Sequence, residues 1–300
     1  MTQADWIAVD WGTSHLRAWA MGPGGAVLGK AESADGMGGL RPAEFEPALL
    51  RLVESWLGTG TTPVIACGMV GAKQGWAEAP YRPVPCKPGA ATPIAPNVTD
   101  PRIALHILPG ISQDSPADVM RGEETQVAGI LYETPQFVGI ACLPGTHTKW
   151  VHVSAEEIVS FRTAMTGELF GLLSDHSVLR HSVGGDDLDG DAFDVGVDES
   201  LSRPERLAQA LFTIRAEGLL HGQTAAAARG RLSGLLIGAE LAATRPYWLG
   251  QQVLIGGAPA LAALYARALQ TQGVRCVTRD ATALTLAGLA LTHAKLTEVS

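Results

Sequence analysis

Asp10 ends a short apolar run, Trp6 to Val9, and is followed by Gly12-Thr13-Ser14. A carboxylate at the end of a buried strand, next to a turn of free amides and hydroxyls, can hold magnesium directly or through water while the turn surrounds a phosphate. The plainer reading is an aspartate that caps a tight turn. A second turn, Pro144-Gly145-Thr146-His147-Thr148-Lys149, follows the apolar run Phe137 to Cys142. Its backbone amides at Gly145 and Thr146 are the stronger phosphate donors, with His147 and Thr148 beside them. His147 and Lys149 also suggest a general base or a phosphate clamp, although a loop lysine is usually just solvated. A third candidate is Val253-Leu254-Ile255-Gly256-Gly257-Ala258, a strand, a double glycine and a helix start. The missing side chains would let a bulky flat ligand such as adenosine lie on the backbone, but such turns also use glycine for steric reasons.

These residues need strands to hold them. Trp6–Val9, His15–Met21 and Ala26–Gly29 read as three strands, the last two joined by Gly22-Pro23-Gly24-Gly25, and a helix pattern runs over 42–57. Strands are predicted at 64–67, 103–108, 137–142, 150–153, 253–255 and 274–278. Helices are predicted at 123–131, 163–180, 203–219, 223–243, 258–270 and from 281 to 294, with Asp280 placed to cap the last. Seven prolines between Ala79 and Pro101 exclude a regular helix or central strand there. Alternating strands and helices indicate an α/β architecture. Turns near positions 12 and 145 lie almost half the chain apart, which suggests an internal duplication.

Composition excludes several classes. The 300 residues are 46% hydrophobic and 17% charged, so disorder is not the main state. Glycine, 35 of 300, exceeds the roughly 7% of an average chain without a collagen period. A net charge of −8 argues against nucleic-acid binding. No apolar stretch is long enough to span a bilayer, and the first residues lack the basic start of a signal peptide, so a cytoplasmic protein with no membrane partner is expected. The four cysteines form no C-x-x-C pair, and no histidine pair has zinc spacing. The acidic run Asp186 to Asp191 departs from a calcium loop at Ala192 and reads as a solvated loop.

The order of the three turns resembles the actin, heat-shock chaperone and sugar-kinase superfamily. Within it the chain is similar to the 2-dehydro-3-deoxygalactonokinase family. The matching stretches are Ile7–Ser14 with Leu16–Trp19, Leu108–Ile111, Asp118–Gln126, Leu143–Trp150 and Met165–Phe170, of which R-G-E-E-T-Q and P-G-T-H-T-K-W are the most specific. The resemblance implies two ribonuclease H-like (actin-like ATPase) lobes with a nucleotide cleft between them. The lobes are expected at 1–115 and 116–300, with the final helix, 281–294, packing back on the first. It also implies phosphoryl transfer from MgATP to the 6-hydroxyl of 2-dehydro-3-deoxy-D-galactonate, in galactonate catabolism.

In that reading Asp10 orients magnesium through water, while Gly12, Thr13 and Ser14 with Gly145, Thr146, His147 and Thr148 hold phosphates. Gly256 and Gly257 bed the adenosine. A carboxylate must accept the hydroxyl proton. Glu123 stands where related hexokinases place an aspartate, and Asp118 in the same loop competes with it. Helix N-terminal charge complementarity is the plainer role for Glu123 or Glu124. Arg121 suits the carboxylate of a sugar acid. Thr166 and Glu168 join the substrate candidates, with Arg162, Thr163, Gly68, Gly71 and Lys73 as weaker ones. A kinase for another hexose or an N-acetyl hexosamine is the alternative enzyme. An actin-like ATP-binding protein is the non-enzyme alternative. The oligomeric state stays open, a homodimer included.

Overall fold

The computed structural model describes residues 3–298. In chain order the first elements are β1 (Trp6–Trp11), β2 (Leu16–Met21), β3 (Val27–Ser33), α1 (Phe45–Val53), β4 (Thr62–Gly68), β5 (Arg82–Pro83), β6 (Ile103–Ile107), β7 (Ile111–Gln113), β8 (Asp118–Met120) and α2 (Glu123–Glu133). They continue with β9 (Gly139–Leu143), β10 (Thr148–Ser154), β11 (Glu157–Ala164), α3 (Thr166–His176), α4 (Gly190–Ser202), α5 (Leu207–His221) and α6 (Ala225–Ala243). The last are α7 (Arg245–Trp248), β12 (Val253–Gly257), α8 (Pro259–Gln270), β13 (Cys276–Asp280) and α9 (Ala281–Glu298). Among the described residues, no helix is long and apolar enough to cross a membrane.

The chain divides into two compact units. One runs to Phe137 and takes in Val153–Ser160 and the segment from Ala281 onward; the other comprises Val138–His152 and Phe161–Asp280. The division expected at 115/116 therefore falls elsewhere. Residues 116–137 group with the first unit because α2 packs on α9. The approach is close: a β-carbon built at Gly129 would stand 2.1 Å from the Leu284 carbonyl oxygen, and one at Gly288 would stand 2.0 Å from that of Thr125.

The first unit's main sheet has the order β3-β2-β1-β4-β6. β1 is antiparallel to β2 and parallel to β4, as β4 is to β6. Strand alternation divides the core: Ile7, Val9 and Trp11 of β1 pack with Phe45, Leu49 and Val53 of α1, whereas Trp6 and Ala8 pack with Leu289 of α9. The helix read over 42–57 is α-helical only at Phe45–Val53, with 3₁₀ turns at Pro42–Glu44 and Glu54–Trp56. The proline-rich segment contributes only β5, paired to β7 in a small third sheet with β8.

The other main sheet, whose β9, β12 and β13 belong to the second unit, has the order β11-β10-β9-β12-β13. Counted along the chain, this is the same order as the first sheet, and β12 is parallel to both β9 and β13. Ile140, Trp150, Val253 and Ile255 of the sheet pack against Phe193 and Val197 of α4, Ile237 and Leu241 of α6, and Tyr265 and Leu269 of α8. Two expectations are corrected here. The acidic run is not simply a loop: the Asp189 side chain accepts from the Ala192 amide at 2.8 Å and caps α4, so Gly190 and Asp191 begin a helix. The helix expected from Thr163 starts only at Thr166, because β11 extends to Ala164.

α4 and α6 meet along glycines. β-Carbons built at Gly230, Gly234 and Gly238 of α6 would stand 2.3, 2.1 and 2.5 Å from the carbonyl oxygens of Asp189, Phe193 and Val197. Side chains are excluded from this seam, so Gly234→Ala forces two backbones apart and should cost about 1–3 kcal/mol. Gly171, inside α3, has no atom within 4 Å of its built β-carbon. Gly171→Ala should instead stabilise by about 0.4–1 kcal/mol. Urea unfolding of the two variants is expected to move the midpoint in opposite directions.

Candidate active site

In the first unit, the β1–β2 register sets Asp10 opposite Arg17 across the turn at 12–15. The Arg17 guanidinium donates to the Asp10 carboxylate and pairs with it. Burial pushes the Asp10 carboxyl above its ordinary pKa, and Arg17 opposes that shift. The turn itself is clamped. The Gly12 amide donates to the His15 carbonyl at 2.9 Å, and the Gly12 and Thr13 carbonyls accept from the amides of Met37 and Gly38 at 3.0 and 2.9 Å. Thr13 and Ser14 stay exposed at its tip.

β4 ends beside this carboxylate at Gly68, whose φ of +92° is open to glycine. A side chain there would meet the Trp11 carbonyl oxygen at 2.7 Å and Asp10 Oδ1 at 3.5 Å. Gly122, with φ +110°, lies against Gly68, its built β-carbon 3.4 Å from the Gly68 Cα. This contact brings the start of α2 to the strand end that carries Asp10. Glu123 there accepts from the Arg121 amide at 3.1 Å, and Glu124 accepts from the Gly122 amide at 2.7 Å and from the Thr125 hydroxyl at 3.2 Å. Glu124 is buried, and desolvation, with Glu123 second, raises its pKa to about 8. Asp118 sits instead on β8, paired in register with Gln113, and accepts from the Val119 amide at 2.8 Å.

Arg121 is 8% exposed. Its Nη2 donates to the Ala79 carbonyl at 2.8 Å, and its guanidinium lies 4.2 Å from the centre of the Tyr81 ring. Nε and Nη1 are buried without a hydrogen-bond partner. Gly71 makes room for this group, since a β-carbon there would stand 2.9 Å from Nη1. Unsatisfied buried donors are costly, and such donors on a cation fit an anion.

In the second unit, the turn at 144–147 is held by the start of α3. The Glu168 amide donates to the Thr146 carbonyl at 2.9 Å, and Glu168 Oε2 lies 2.5 Å from His147 Nε2. A side chain on Gly167 would collide with the Gly145 carbonyl oxygen at 2.2 Å. His147 and Glu168, expected on different ligands, are thus brought together. The hydroxyls of Thr148 and Thr166, expected to meet ligands, have partners within the protein. Strand alternation turns Thr148 inward, where its hydroxyl lies 2.9 Å from the Tyr265 hydroxyl, and Thr166 donates to the buried Glu240.

Beside this turn lies a cavity of about 580 Å³. Gly145, Thr146, Thr166 and Gly167 form one wall, and Phe170, Leu236, Ile237 and Leu264 supply its apolar surface. Ala260 and Leu261 of α8 line it where Gly256 and Gly257 were expected. Gly257 packs instead on Pro144 and Ala262, its built β-carbon 3.5 Å from each. Size and lining suit a nucleoside. For magnesium, no group of three or more His, Cys, Asp or Glu side chains forms among the described residues. A single carboxylate, Asp10, fits magnesium held through water and completed by phosphate oxygens.

Sequence reasoning missed Arg17, Glu124 and Glu240. Arg17 was legible, since pairing outward from the 12–15 turn sets it opposite Asp10. Glu124 entered only as a charge complementing a helix N-terminus and Glu240 not at all, because only packing shows them buried.

Residues 10–292 match the model of the 2-keto-3-deoxy-galactonokinase family. A relative in Rhizobium meliloti (strain 1021) that carries the name 2-dehydro-3-deoxygalactonokinase DgoK1 is 38% identical over 294 residues, 96% of each chain. The 2-dehydro-3-deoxygalactonokinase of Escherichia coli (strain K12) is 37% identical over 274 residues, 90% of this chain and 91% of that one. A crystal structure of a candidate 2-dehydro-3-deoxygalactonokinase from Sinorhizobium meliloti superposes with a TM-score of 0.90 at 37% identity, covering 97% of this chain and 99% of the other.

Glu124 makes a pH prediction. Its carboxyl titrates near 4.5 when unfolded and near 8 in the fold, so the folded state holds the proton more tightly. That stability is fully present below about pH 4.5 and is lost as pH rises through about 8. Glu124→Gln, neutral throughout, should remove this loss. Urea midpoints at pH values from about 5 to about 9 should show the variant gaining on the wild type as pH rises. A constant difference would refute the assignment.

Proposed function

The chain belongs to the 2-keto-3-deoxy-galactonokinase family, and from that premise we propose that it transfers the γ-phosphoryl group of ATP to the 6-hydroxyl of 2-dehydro-3-deoxy-D-galactonate, giving the 6-phosphate and ADP in the cytoplasm. The observation that carries the choice of an acid acceptor is Arg121, buried with Nε and Nη1 unpartnered. A carboxylate meets those donors in bidentate fashion and neutralises the buried cation, whereas a neutral sugar hydroxyl can accept a hydrogen bond but brings no charge. Tyr81, 41% exposed, covers the guanidinium and is the side chain that gives way to an entering anion.

In the first unit, Glu123 accepts the proton of the attacking hydroxyl, a role supported by the contact of Gly122 with Gly68 beside Asp10. Asp118, on β8, is the second candidate. Magnesium, when bound, neutralises phosphate charge, and Asp10 holds it through water. The amides and hydroxyls of Gly12, Thr13 and Ser14 serve as phosphate donors. In the second unit, adenosine occupies the 580 Å³ cavity and the phosphates meet Gly145, Thr146 and His147. Thr148 leaves this set because its hydroxyl is engaged with Tyr265. Positioning and charge neutralisation carry such a reaction, with no covalent intermediate required of the protein.

Coupled ADP release across 2-keto-3-deoxy acids and neutral hexoses tests the reading. Asp10→Asn should fold normally and lose about 100-fold or more in kcat. Arg121→Ala should raise KM for the sugar acid about 10- to 100-fold while KM for ATP holds. Phosphorylation of a neutral hexose that Arg121→Ala leaves untouched would transfer the proposal to the neutral-sugar alternative. ADP release that no acceptor stimulates would sink the kinase reading.

A further inference from the structure

Glu240 is 5% exposed on α6, and among the described residues three neutral side chains donate to it, with the Thr148 hydroxyl a fourth neighbour. Trp150 Nε1 of β10 donates to Oε1 at 2.7 Å. The Tyr265 hydroxyl of α8 donates to Oε2 at 2.8 Å, and the Thr166 hydroxyl at the first residue of α3 donates to the same oxygen. Because Tyr265 gives its proton to Glu240, the 2.9 Å contact with Thr148 runs from the threonine to the tyrosine. One carboxylate therefore joins α6, α8, β10 and the start of α3. A buried carboxylate so satisfied fixes the elements that supply its donors, since releasing any one leaves charge unsolvated.

The joined elements are those that shape the cavity and the second turn. Thr166 and Tyr265 line the cavity themselves, and α6 presents Ser233, Leu236 and Ile237 to it within the two turns before Glu240. The residues after Thr166 brace the turn, Gly167 against Gly145 and Glu168 against Thr146 and His147. We propose that Glu240 is a positioning residue for nucleotide: it touches no ligand, and it sets the spacing between the Gly145–Thr146 turn and the cavity wall built by α6 and α8. This rests on the reading that the cavity takes adenosine.

The experiment uses the full chain and its Glu240→Gln variant. Glutamine keeps the shape and still accepts from Trp150, but its amide faces two hydroxyls that must turn their protons away. Calorimetric titration with ADP should show Kd raised about tenfold, and steady-state assays should show KM for ATP raised alike while KM for the sugar acid stays within about twofold. Thermal unfolding checks that the variant folds. Should it not, Trp150→Phe removes one donor from a residue that is fully buried and outside the cavity, and it should also weaken ADP binding. Unaltered protein that binds ADP beside a folded variant of equal affinity overturns the positioning role alone. Equal rises in both KM values also overturn it, as a general structural effect. Unaltered protein that binds no ADP overturns the reading of the cavity and the proposal together.

Discussion

Placing a carboxyl group in the interior, where burial penalises its charged form, is the constraint on which both units depend. Asp10, Glu124 and Glu240 are all shifted toward the protonated form by burial. Each is met differently. Asp10 takes one cation from the neighbouring strand, Glu124 takes a backbone amide and a hydroxyl from its own helix start, and Glu240 takes an indole and two hydroxyls from three other elements. Desolvation of one charge costs several kcal/mol unless its partners are fixed. Asp10 and Glu240 thereby tie their own elements to those that supply their donors: β1 to β2, and α6 to β10, α3 and α8.

The two main sheets share one strand order, yet they are equipped for different tasks. β1 carries a carboxylate, Asp10, one residue before its end, whereas the corresponding strand, β9, ends in Cys142-Leu143 and runs into Pro144. Between the third and fourth strands of the first sheet there is a single α-helix, α1, but the second sheet carries α3 to α7 at that point. That insertion supplies Phe170, Ser233, Leu236 and Ile237, and with them much of the cavity wall. Conversely, β4 connects to β6 through the proline-rich segment without a helix, and α9 returns from the far end of the chain to cover that face.

Local pattern was enough to read the first two turns and four of the five strands in the second main sheet, because apolar runs that stop at glycine have few other solutions; β11 was missed, and β12 runs on through the double glycine. Arg121 was also legible, as an arginine in a specific motif, although its two orphaned nitrogens were not. What pattern could not convey was sidedness. Thr148 looks like a phosphate ligand in its motif, but it begins a strand and alternation turns it inward. Glu240, alone among the alanines and leucines of α6, has the look of a solvated charge, and its donors lie 25 to 90 residues away. α4 was hidden because its capping Asp189 sits inside an acidic run that resembles a loop.

The glycine seam between α4 and α6 bears on how the second unit assembles. Gly230, Gly234 and Gly238 recur every fourth residue of α6, each where the backbone of α4 touches. An interior glycine weakens a helix by about 1 kcal/mol relative to alanine, so three of them leave α6 with little tendency to coil alone. Docking on α4 offsets that cost. Any side chain that widens the seam would shift α6, and with it Ser233, Leu236 and Ile237 of the cavity wall.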